Sequence, residues 1–187
     1  MSRLKSPVSR DDHAAGPVDA AVTLVEYGDY QCPECAAARP VVQQLQERFG
    51  GGLRVVFRNF PRKQVHPHAQ CAAETAEFAA AYGKFWEMHQ LLFENQQRLG
   101  GALYLELARR LGLAPAALSL ALEEKLFAAR VRTDVSGALR SGVAGAPAFF
   151  INGRLHQGPA DLAGLAEAVA QAMAGRTERP ATPRKTA

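Results

Sequence analysis

Hydrophobic positions in the first third of the chain predict two buried strands separated by one helix. Residues 21–27 (AVTLVEY) form a short, β-branched and largely apolar run, which is typical of a buried strand. Residues 33–49 contain good helix formers behind an N-terminal proline, and three glycines follow them as a stop signal. Residues 53–57 (LRVVF) predict the second strand. A strand–helix–strand unit of about 35 residues indicates parallel strands joined by a right-handed crossover.

The pattern then changes to helices and returns to strands near the C-terminus. Alanine- and leucine-rich segments between residues 68 and 140, separated by glycine-containing turns, predict four or five helices. In one of them Phe85, Met88 and Leu92 share a helical face, which we interpret as core. Residues 148–157 then predict two short strands joined by the Asn-Gly turn at 152–153, and residues 160–173 predict a last helix.

This order of elements predicts an α/β fold that is interrupted by a helical domain. The βαβ half covers residues 21–65 and the ββα half covers residues 142–173, with an inserted helical domain over 66–141. Both ends of the chain are polar and contain prolines. We therefore expect a flexible N-terminal segment over 1–20 and a flexible basic tail over 174–187.

Composition and charge narrow the class of protein. Of the 187 residues, 48% are hydrophobic and 21% are charged, which is a globular composition. The net charge is +4, but residues 174–187 carry +3 of it, so we do not expect nucleic-acid binding. No apolar run approaches the ~18–20 residues of a membrane helix. The first 20 residues lack the apolar core of a signal peptide, which predicts a cytoplasmic protein unless a leader has been removed.

Two of the three cysteines form the sharpest chemical feature, the Cys32-Pro33-Glu34-Cys35 motif between the first strand and the first helix. The helix N-terminus favours the Cys32 thiolate, because unpaired backbone N–H groups and the helix dipole stabilise negative charge there. Cys35 lies one turn further on, where we expect it to be more shielded. One sulfur can then attack a partner and the other can resolve the mixed disulfide. The alternatives are half of a zinc site and an incidental pair.

Three segments together resemble the DsbA-like branch of the thioredoxin superfamily. They are residues 26–35 (EYGDYQCPEC), 83–89 (GKFWEMH) and 145–153 (GAPAFFING), and the resemblance extends over most of the chain. It implies a thioredoxin fold with a helical domain inserted between its βαβ and ββα halves. It also implies a thiol–disulfide oxidoreductase in which Cys32 is the nucleophile and Cys35 the resolving thiol.

The resemblance implies roles for three further residues. Pro147 matches the family's cis-proline, which lies against the cysteines and leaves the backbone of Ala146 free to pair with a substrate strand; the alternative is an ordinary trans-proline that starts a strand. Glu26 matches an acidic residue that is buried beneath the active site in many relatives. A carboxylate there exchanges a proton with Cys35, whereas the alternative is a carboxylate at a strand edge that faces water.

The sequence also departs from the family pattern. Strongly oxidising relatives have a histidine between the cysteines, whereas this chain has Pro33 and Glu34, which with Ala146 and Pro147 we assign to the substrate-binding surface. A negative side chain beside the Cys32 thiolate destabilises it, so we expect a weaker oxidant. Alanine at 146, where many relatives have threonine or valine, predicts an open and weakly selective groove.

The remaining candidate residues have competing interpretations. We interpret Cys71 as a packed small hydrophobe. The alternative joins it with His66, His68 and the cysteine pair in a zinc site, although the spacing matches no closed structural site. A basic cluster after the second strand is interpreted as a solvated loop and consists of Arg58, Arg62 and Lys63.

The sequence therefore predicts a thiol–disulfide oxidoreductase that acts on protein cysteines through a Cys32–Cys35 disulfide. We expect no other cofactor, no metal, a monomer and an unidentified redox recycling partner. The alternatives are a glutathione-linked transferase or isomerase on the same fold, and a non-catalytic module that binds a metal or a partner protein.

Overall fold

A computed structural model describes residues 2–177 of the chain, with side chains up to residue 175. Its strands are β1 (His13–Ala15), β2 (Val22–Gly28), β3 (Leu53–Asn59), β4 (Ala148–Ile151) and β5 (Arg154–Leu155). Its helices are α1 (Pro33–Phe49), α2 (Ala69–Ala80), α3 (Phe85–Glu94), α4 (Gly101–Arg110), α5 (Pro115–Glu123), α6 (Ala128–Arg140) and α7 (Leu162–Thr177), and two short 3₁₀ turns cover Gly50–Gly52 and Gln96–Arg98.

The strands form one mixed sheet in the order β1-β3-β2-β4-β5. β2 and β3 pair in parallel across the α1 crossover, whereas the other three pairs are antiparallel. The βαβ half, the inserted helices α2–α6 and the ββα half follow one another as predicted, which confirms the fold class. The Asn-Gly turn is also confirmed, because Asn152 and Gly153 have φ values of 46° and 76° and join β4 to β5.

Side chains along β2 point alternately to the two faces of the sheet, and each face packs against different helices. Val22 and Leu24 pack in a cluster with residues of α1 and α7, whereas Val25 and Tyr27 pack in a cluster on the opposite face, beside α6. Glu26 has the same parity as Leu24, so its side chain leaves the strand on the side of α1. A third cluster fills the helical domain, extends to both cysteines of the motif, and includes the predicted core residues Phe85, Met88 and Leu92.

Much of the segment between residues 2 and 15 packs against the sheet, so the prediction of a flexible N-terminal segment over 1–20 is wrong for this part. β1 pairs with β3, and the amide of Leu4 donates to the carbonyl of Gly153 at 2.9 Å. Arg58 lies in β3 with 4% exposure, and its guanidinium donates to both carboxylate oxygens of Asp12 at 2.7 and 2.9 Å. A buried guanidinium needs such acceptors. The prediction that Arg58 belongs to a solvated loop is therefore wrong as well.

The C-terminal helix is longer than predicted. α7 continues to Thr177, so the first residues of the predicted flexible tail are helical. The remainder of the predicted tail, residues 178–187, lies outside the described residues. Over the described part of the chain, no helix is both long enough and apolar enough to cross a membrane.

Candidate active site

Cys32 lies at the junction of the β2–α1 loop and the helix. It is the N-cap residue of α1 with an extended backbone (φ −76°, ψ 122°), and Pro33 occupies the first turn. Its amide donates to the carbonyl of Asp29 at 3.1 Å, and its carbonyl accepts from the amide of Ala36 at 3.2 Å. These contacts fix Cys32 at the helix N-terminus, as the motif predicts.

Both cysteines of the motif are free thiols and both are buried, so the difference in shielding that was expected between them is small. Cys32 is 1% exposed and Cys35 is 0% exposed. The Cys32 sulfur lies 3.0 Å from Oε2 of Glu34 and 3.3 Å from the carbonyl oxygen of Ala146. Its single S–H can donate to only one of these oxygens at a time. These neighbours cover the sulfur that a substrate has to reach.

The surroundings of Cys32 raise the pKa of its thiol. Burial is the main cause, and the hydrogen bond to the Glu34 carboxylate adds to it, because that acceptor favours the protonated sulfur. Hydrogen bonds from Cys35 and from backbone amides act in the opposite direction. The destabilising effect that Glu34 was expected to have on the thiolate is therefore present, and burial together with Glu34 outweighs the hydrogen bonds at the helix N-terminus.

Cys35 is held deeper in the same turn. The amide of Asp29 donates to the Cys35 sulfur at 3.4 Å, which partly stabilises a thiolate. Burial nevertheless raises the pKa of Cys35 well above its usual range, and the nearby charge of Glu26 raises it further. A group that takes the proton from Cys35 is therefore needed before this sulfur can act as a nucleophile.

Glu26 is a buried carboxyl group whose charge acts on Cys35, which makes it the candidate for this proton transfer. It is 5% exposed, and burial raises its pKa to about 8. The alternative of a carboxylate at a strand edge facing water is thus wrong. A cavity of about 320 Å³ is lined by Glu26 at one end and by the exposed Gln43 and Gln90 at the other, so it connects the carboxyl group with the surface.

The loop before β4 also contacts the Cys32 sulfur. The Ala146–Pro147 peptide bond is cis, and the carbonyl of Ala146 is the group that lies 3.3 Å from the Cys32 sulfur. Both residues are half-buried. The structure thereby brings together the residues of the motif with Ala146 and Pro147, which are more than 100 positions away in the sequence.

Several residues that support the site were missed by the sequence interpretation. Asp29, 1% exposed, accepts hydrogen bonds from the amides of Gln31 and Arg62, both at 2.8 Å, and lies 2.8 Å from Nδ1 of His66. The side chain of Gln96 donates to the carbonyls of Tyr30 and Cys32 at 2.9 Å. Asp29 had a visible signal, because an aspartate directly after a strand commonly binds nearby backbone amides. Gln96 had none, because its partners are over 60 positions away.

A buried histidine borders the same cavity as Glu26. Nδ1 of His89 lies 3.0 Å from the hydroxyl of Tyr30, and aromatic rings surround the imidazole. Burial lowers the pKa of His89 to about 3, so the ring is neutral at physiological pH. It therefore forms part of the polar lining of the site without adding a charge to it.

The zinc interpretation of His66, His68 and Cys71 finds no support in the geometry. His66 is bound to the carboxylate of Asp29, and no group of three or more potential ligand side chains occurs between residues 2 and 177. Cys71 is exposed on α2, so the prediction that it is packed as a small hydrophobe is wrong. The helix turns this position outwards, and the neighbouring Ala72 and Ala73 fill the core.

Because Cys71 is exposed and separate from the motif, we expect Cys71→Ala to leave disulfide exchange within twofold of the wild-type rate. The free energy of unfolding should change by less than about 0.5 kcal/mol, as is usual for surface positions. Insulin-reduction assays and urea titrations of both proteins would measure these effects. A tenfold loss of rate would show that Cys71 takes part in the reaction.

The fold and the site together define a thioredoxin-fold protein with a cysteine pair at the N-terminus of its first helix. A family model described as Thioredoxin matches residues 9–171. The chain belongs to the thioredoxin family.

Solved structures support the particular variant of this fold. BdbD of Bacillus subtilis matches with a TM-score of 0.84 and 24% identity, over 93% of this chain and 99% of that one. A thioredoxin-like oxidoreductase from Silicibacter pomeroyi matches with a TM-score of 0.77 and 27% identity, over 88% and 93%. For alpha-DsbA1 of Wolbachia pipientis the TM-score is 0.79 at 19% identity, over 93% and 96%. The fold is therefore DsbA-like and is shared with thiol–disulfide oxidoreductases.

Similar sequences also occur as parts of much longer proteins. The Na(+)/H(+) antiporter NhaA 1 of Salinispora arenicola is 46% identical over 178 residues, which are 95% of this chain and 27% of that protein. NhaA 3 of Salinispora tropica is 44% identical over the same shares. The chain spans about a quarter of the length of these curated relatives.

Proposed function

We propose that this protein catalyses thiol–disulfide exchange with the cysteines of other proteins through Cys32 and Cys35. The observation that carries the proposal is the position of the Cys32 sulfur, at the N-terminus of α1 and 3.3 Å from the backbone carbonyl of Ala146. An extended polypeptide that pairs with the Ala146 backbone would place its own sulfur beside Cys32. In this proposal Pro33, Glu34 and Pro147 complete the surface that contacts the substrate.

In the reducing direction the Cys32 thiolate attacks a substrate disulfide. A bond forms between the Cys32 sulfur and one substrate sulfur, and the other substrate sulfur leaves as a thiolate and takes up a proton. Glu26 then accepts the proton of Cys35, and the Cys35 thiolate attacks the Cys32 sulfur. The Cys32–Cys35 disulfide forms, the second substrate thiolate leaves, and two electrons have passed to the substrate. A dithiol reductant must then restore the pair.

The environment of Cys32 supports a dithiol resting state. A strong oxidant of this class stabilises the thiolate of its reduced form, whereas burial and Glu34 here raise the pKa of Cys32. The disulfide is accordingly a weak oxidant in our proposal, and reduction or isomerisation is the favoured direction.

Insulin reduction with a dithiol recycling reductant tests the proposed function. Turnover that requires both Cys32 and Cys35 would support it, and a redox titration of the pair would give the direction. A potential near −270 mV corresponds to reductants and one near −120 mV to oxidants. Activity restricted to small glutathione conjugates would favour the alternative transferase or isomerase, and absence of any thiol chemistry would contradict the proposal.

Replacing Glu34 should make the Cys32–Cys35 pair more oxidising. We expect Glu34→Gln to lower the pKa of Cys32, because the hydrogen bond then no longer leads to a negative charge, and Glu34→His to lower it further. One unit of pKa corresponds to ~1.4 kcal/mol, or ~30 mV for this two-electron couple. Glutathione titrations followed by alkylation would measure the potentials. An unchanged potential in both variants would mean that Glu34 does not influence the sulfur in solution.

The antiporter relatives support a proposal about the physiological partner. In those proteins, a segment like this chain is part of a polypeptide named as a Na(+)/H(+) antiporter. We propose that cysteines of a membrane antiporter are among the substrates of this exchange unit. A Cys35→Ser variant incubated with membranes of the source organism should form a reducible conjugate with such a protein. Conjugates with other proteins alone would contradict this partner.

A further inference from the structure

A groove separates the β3–α2 loop from α6 and remains unused by the chemistry described above. It has a volume of about 330 Å³, and its apolar lining includes Phe60, Pro61, Val135 and Leu139. Leu139 is 60% exposed, so a large part of its apolar side chain is available for contact with a ligand. We call this cavity the lateral groove.

The lateral groove adjoins the redox site at two points. Ala144 lines the groove and stands two residues before Ala146, whose carbonyl lies 3.3 Å from the Cys32 sulfur. Arg62 also lines it, and its amide donates to Asp29, whose own amide donates to the Cys35 sulfur. Because two residues of chain span at most ~7 Å, a polypeptide held at Ala146 enters the groove within a few residues of its reacting cysteine.

The positive charge of the lateral groove favours acidic ligands. Three cationic side chains line it and no carboxylate does; they belong to Arg62, Lys63 and Arg132. Among residues 2–177, none of these three side chains has an ion pair or side-chain hydrogen bond. The carboxylate of Asp134 on α6 is buried and bound by Arg130 and Asn59, so it does not neutralise them.

One exposed carboxylate lies close enough to interact with this charge. The hydrogen bond from Cys32 is the main cause that lowers the pKa of Glu34, and Coulombic effects of His66 and then of Arg62 make smaller contributions. One cation of the groove therefore acts on the surface around the cysteine pair. Apolar lining beneath unpaired cations matches a ligand that presents an apolar side chain next to an acidic one.

We propose that the lateral groove binds the segment of a substrate polypeptide that flanks its reactive cysteine, and that it selects segments carrying aspartate or glutamate beside an apolar residue. The apolar side chain contacts Val135 and Leu139, and the acidic side chain pairs with Lys63 or Arg132. This inference rests on the proposed exchange function and adds a substrate class to it.

Binding of peptides that cannot react tests the groove independently of catalysis. Three labelled peptides would share one sequence with serine in place of cysteine and leucine three positions away, next to glutamate, glutamine or lysine. We expect the glutamate peptide to bind about threefold more tightly than the glutamine peptide at low salt, as one exposed ion pair allows. The preference should diminish at 0.5 M salt, where charges are screened.

Charge reversal locates the site of this preference. In the double variant Lys63→Glu/Arg132→Glu the order should invert, so that the lysine peptide binds best. The matched control is Arg109→Glu/Arg110→Glu on α4, which changes net charge equally but lies outside the groove. An inversion confined to the groove variant would support the proposal. Equal affinities for the three peptides, or an equal response of both double variants, would overturn it.

Exchange rates with the corresponding cystine peptides distinguish a failure of the groove proposal from a failure of the proposed exchange function. If the glutamate peptide binds selectively and is also reduced fastest, both the groove and the exchange function hold. Reduction of all three peptides at equal rates with equal binding removes the groove and leaves the exchange function standing. Selective binding without reduction of any peptide contradicts the exchange function and retains the groove as a binding site.

Discussion

Cys32→Ser is expected to abolish disulfide exchange completely, whereas Cys35→Ser should leave a protein that accumulates mixed disulfides. Cys32 lies at the N-terminus of α1 beside the Ala146 backbone, where we propose that the substrate pairs, so in this proposal the incoming sulfur reacts with Cys32. Without Cys35, nothing in the site can release the conjugate. Incubation with oxidised insulin followed by intact-mass measurement would show the conjugate as an added, reducible mass.

This experiment requires a background in which the third thiol is absent. Cys71 is exposed and could itself form a conjugate, so each variant should also carry Cys71→Ala. The roles of the two cysteines would be reversed if the Cys32→Ser protein, and not the Cys35→Ser protein, trapped the substrate. Equal trapping by both variants would mean that the structure does not distinguish the two sulfurs.

The parts of the fold that could be predicted are those encoded over short distances. The apolar, β-branched run of residues 21–27 placed Glu26 in a buried strand, and the Asn-Gly pair placed the hairpin between β4 and β5. The Cys32–Cys35 spacing placed two sulfurs in one helical turn. In each case the physical constraint acts within a few residues, so the sequence pattern contains it.

The errors concern contacts between residues that are far apart in the chain. The N-terminal segment is polar and contains prolines, and contacts with distant residues hold it on the sheet, among them the ion pair of Asp12 with Arg58, 46 positions away, and the pairing of β1 with β3. Burial of Cys32 likewise depends on Ala146, which is 114 positions away. The outward direction of Cys71 depends on which face of α2 meets the core, and an alanine-rich helix leaves that choice open. Such features become visible only when the elements are assembled.

Burial of Glu26 gives a prediction about both stability and rate. We expect Glu26→Gln to stabilise the protein at neutral pH and to slow the step in which Cys35 resolves a mixed disulfide. The carboxyl group has a pKa of about 8 in the folded chain, against an ordinary value of 4.5. Folding therefore opposes ionisation of Glu26, and removing the ionisable group relieves this opposition.

The sign of the stability effect follows from proton linkage. Below pH 4.5 the carboxyl group is protonated in the folded and the unfolded chain, so its ionisation does not affect stability. Between pH 4.5 and 8 the unfolded chain loses the proton first, and the wild-type free energy of unfolding falls as the pH rises. At pH 7 this amounts to roughly 3 kcal/mol, which Glu26→Gln should recover. Urea titrations at pH 4.5 and pH 7 would measure the difference, with the exposed Glu124→Gln as the matched control.

Although Glu26→Gln should stabilise the protein, it should slow the resolution of the mixed disulfide by Cys35. Resolution of a Cys32 mixed disulfide should accelerate in the wild type as the pH rises towards 8, because ionised Glu26 can then accept the proton of Cys35. Glutamine cannot accept it, so the rate should fall by about 10²-fold at pH 8 and lose that inflection, since general-base catalysis typically contributes 10²–10⁴-fold. Rapid-quench release of a thiol-linked fluorophore from Cys32 would follow this step. The Glu26→Gln variant could be stabilised at pH 7 and still resolve the mixed disulfide at the wild-type rate. This outcome would show that Glu26 is buried but takes no part in proton transfer.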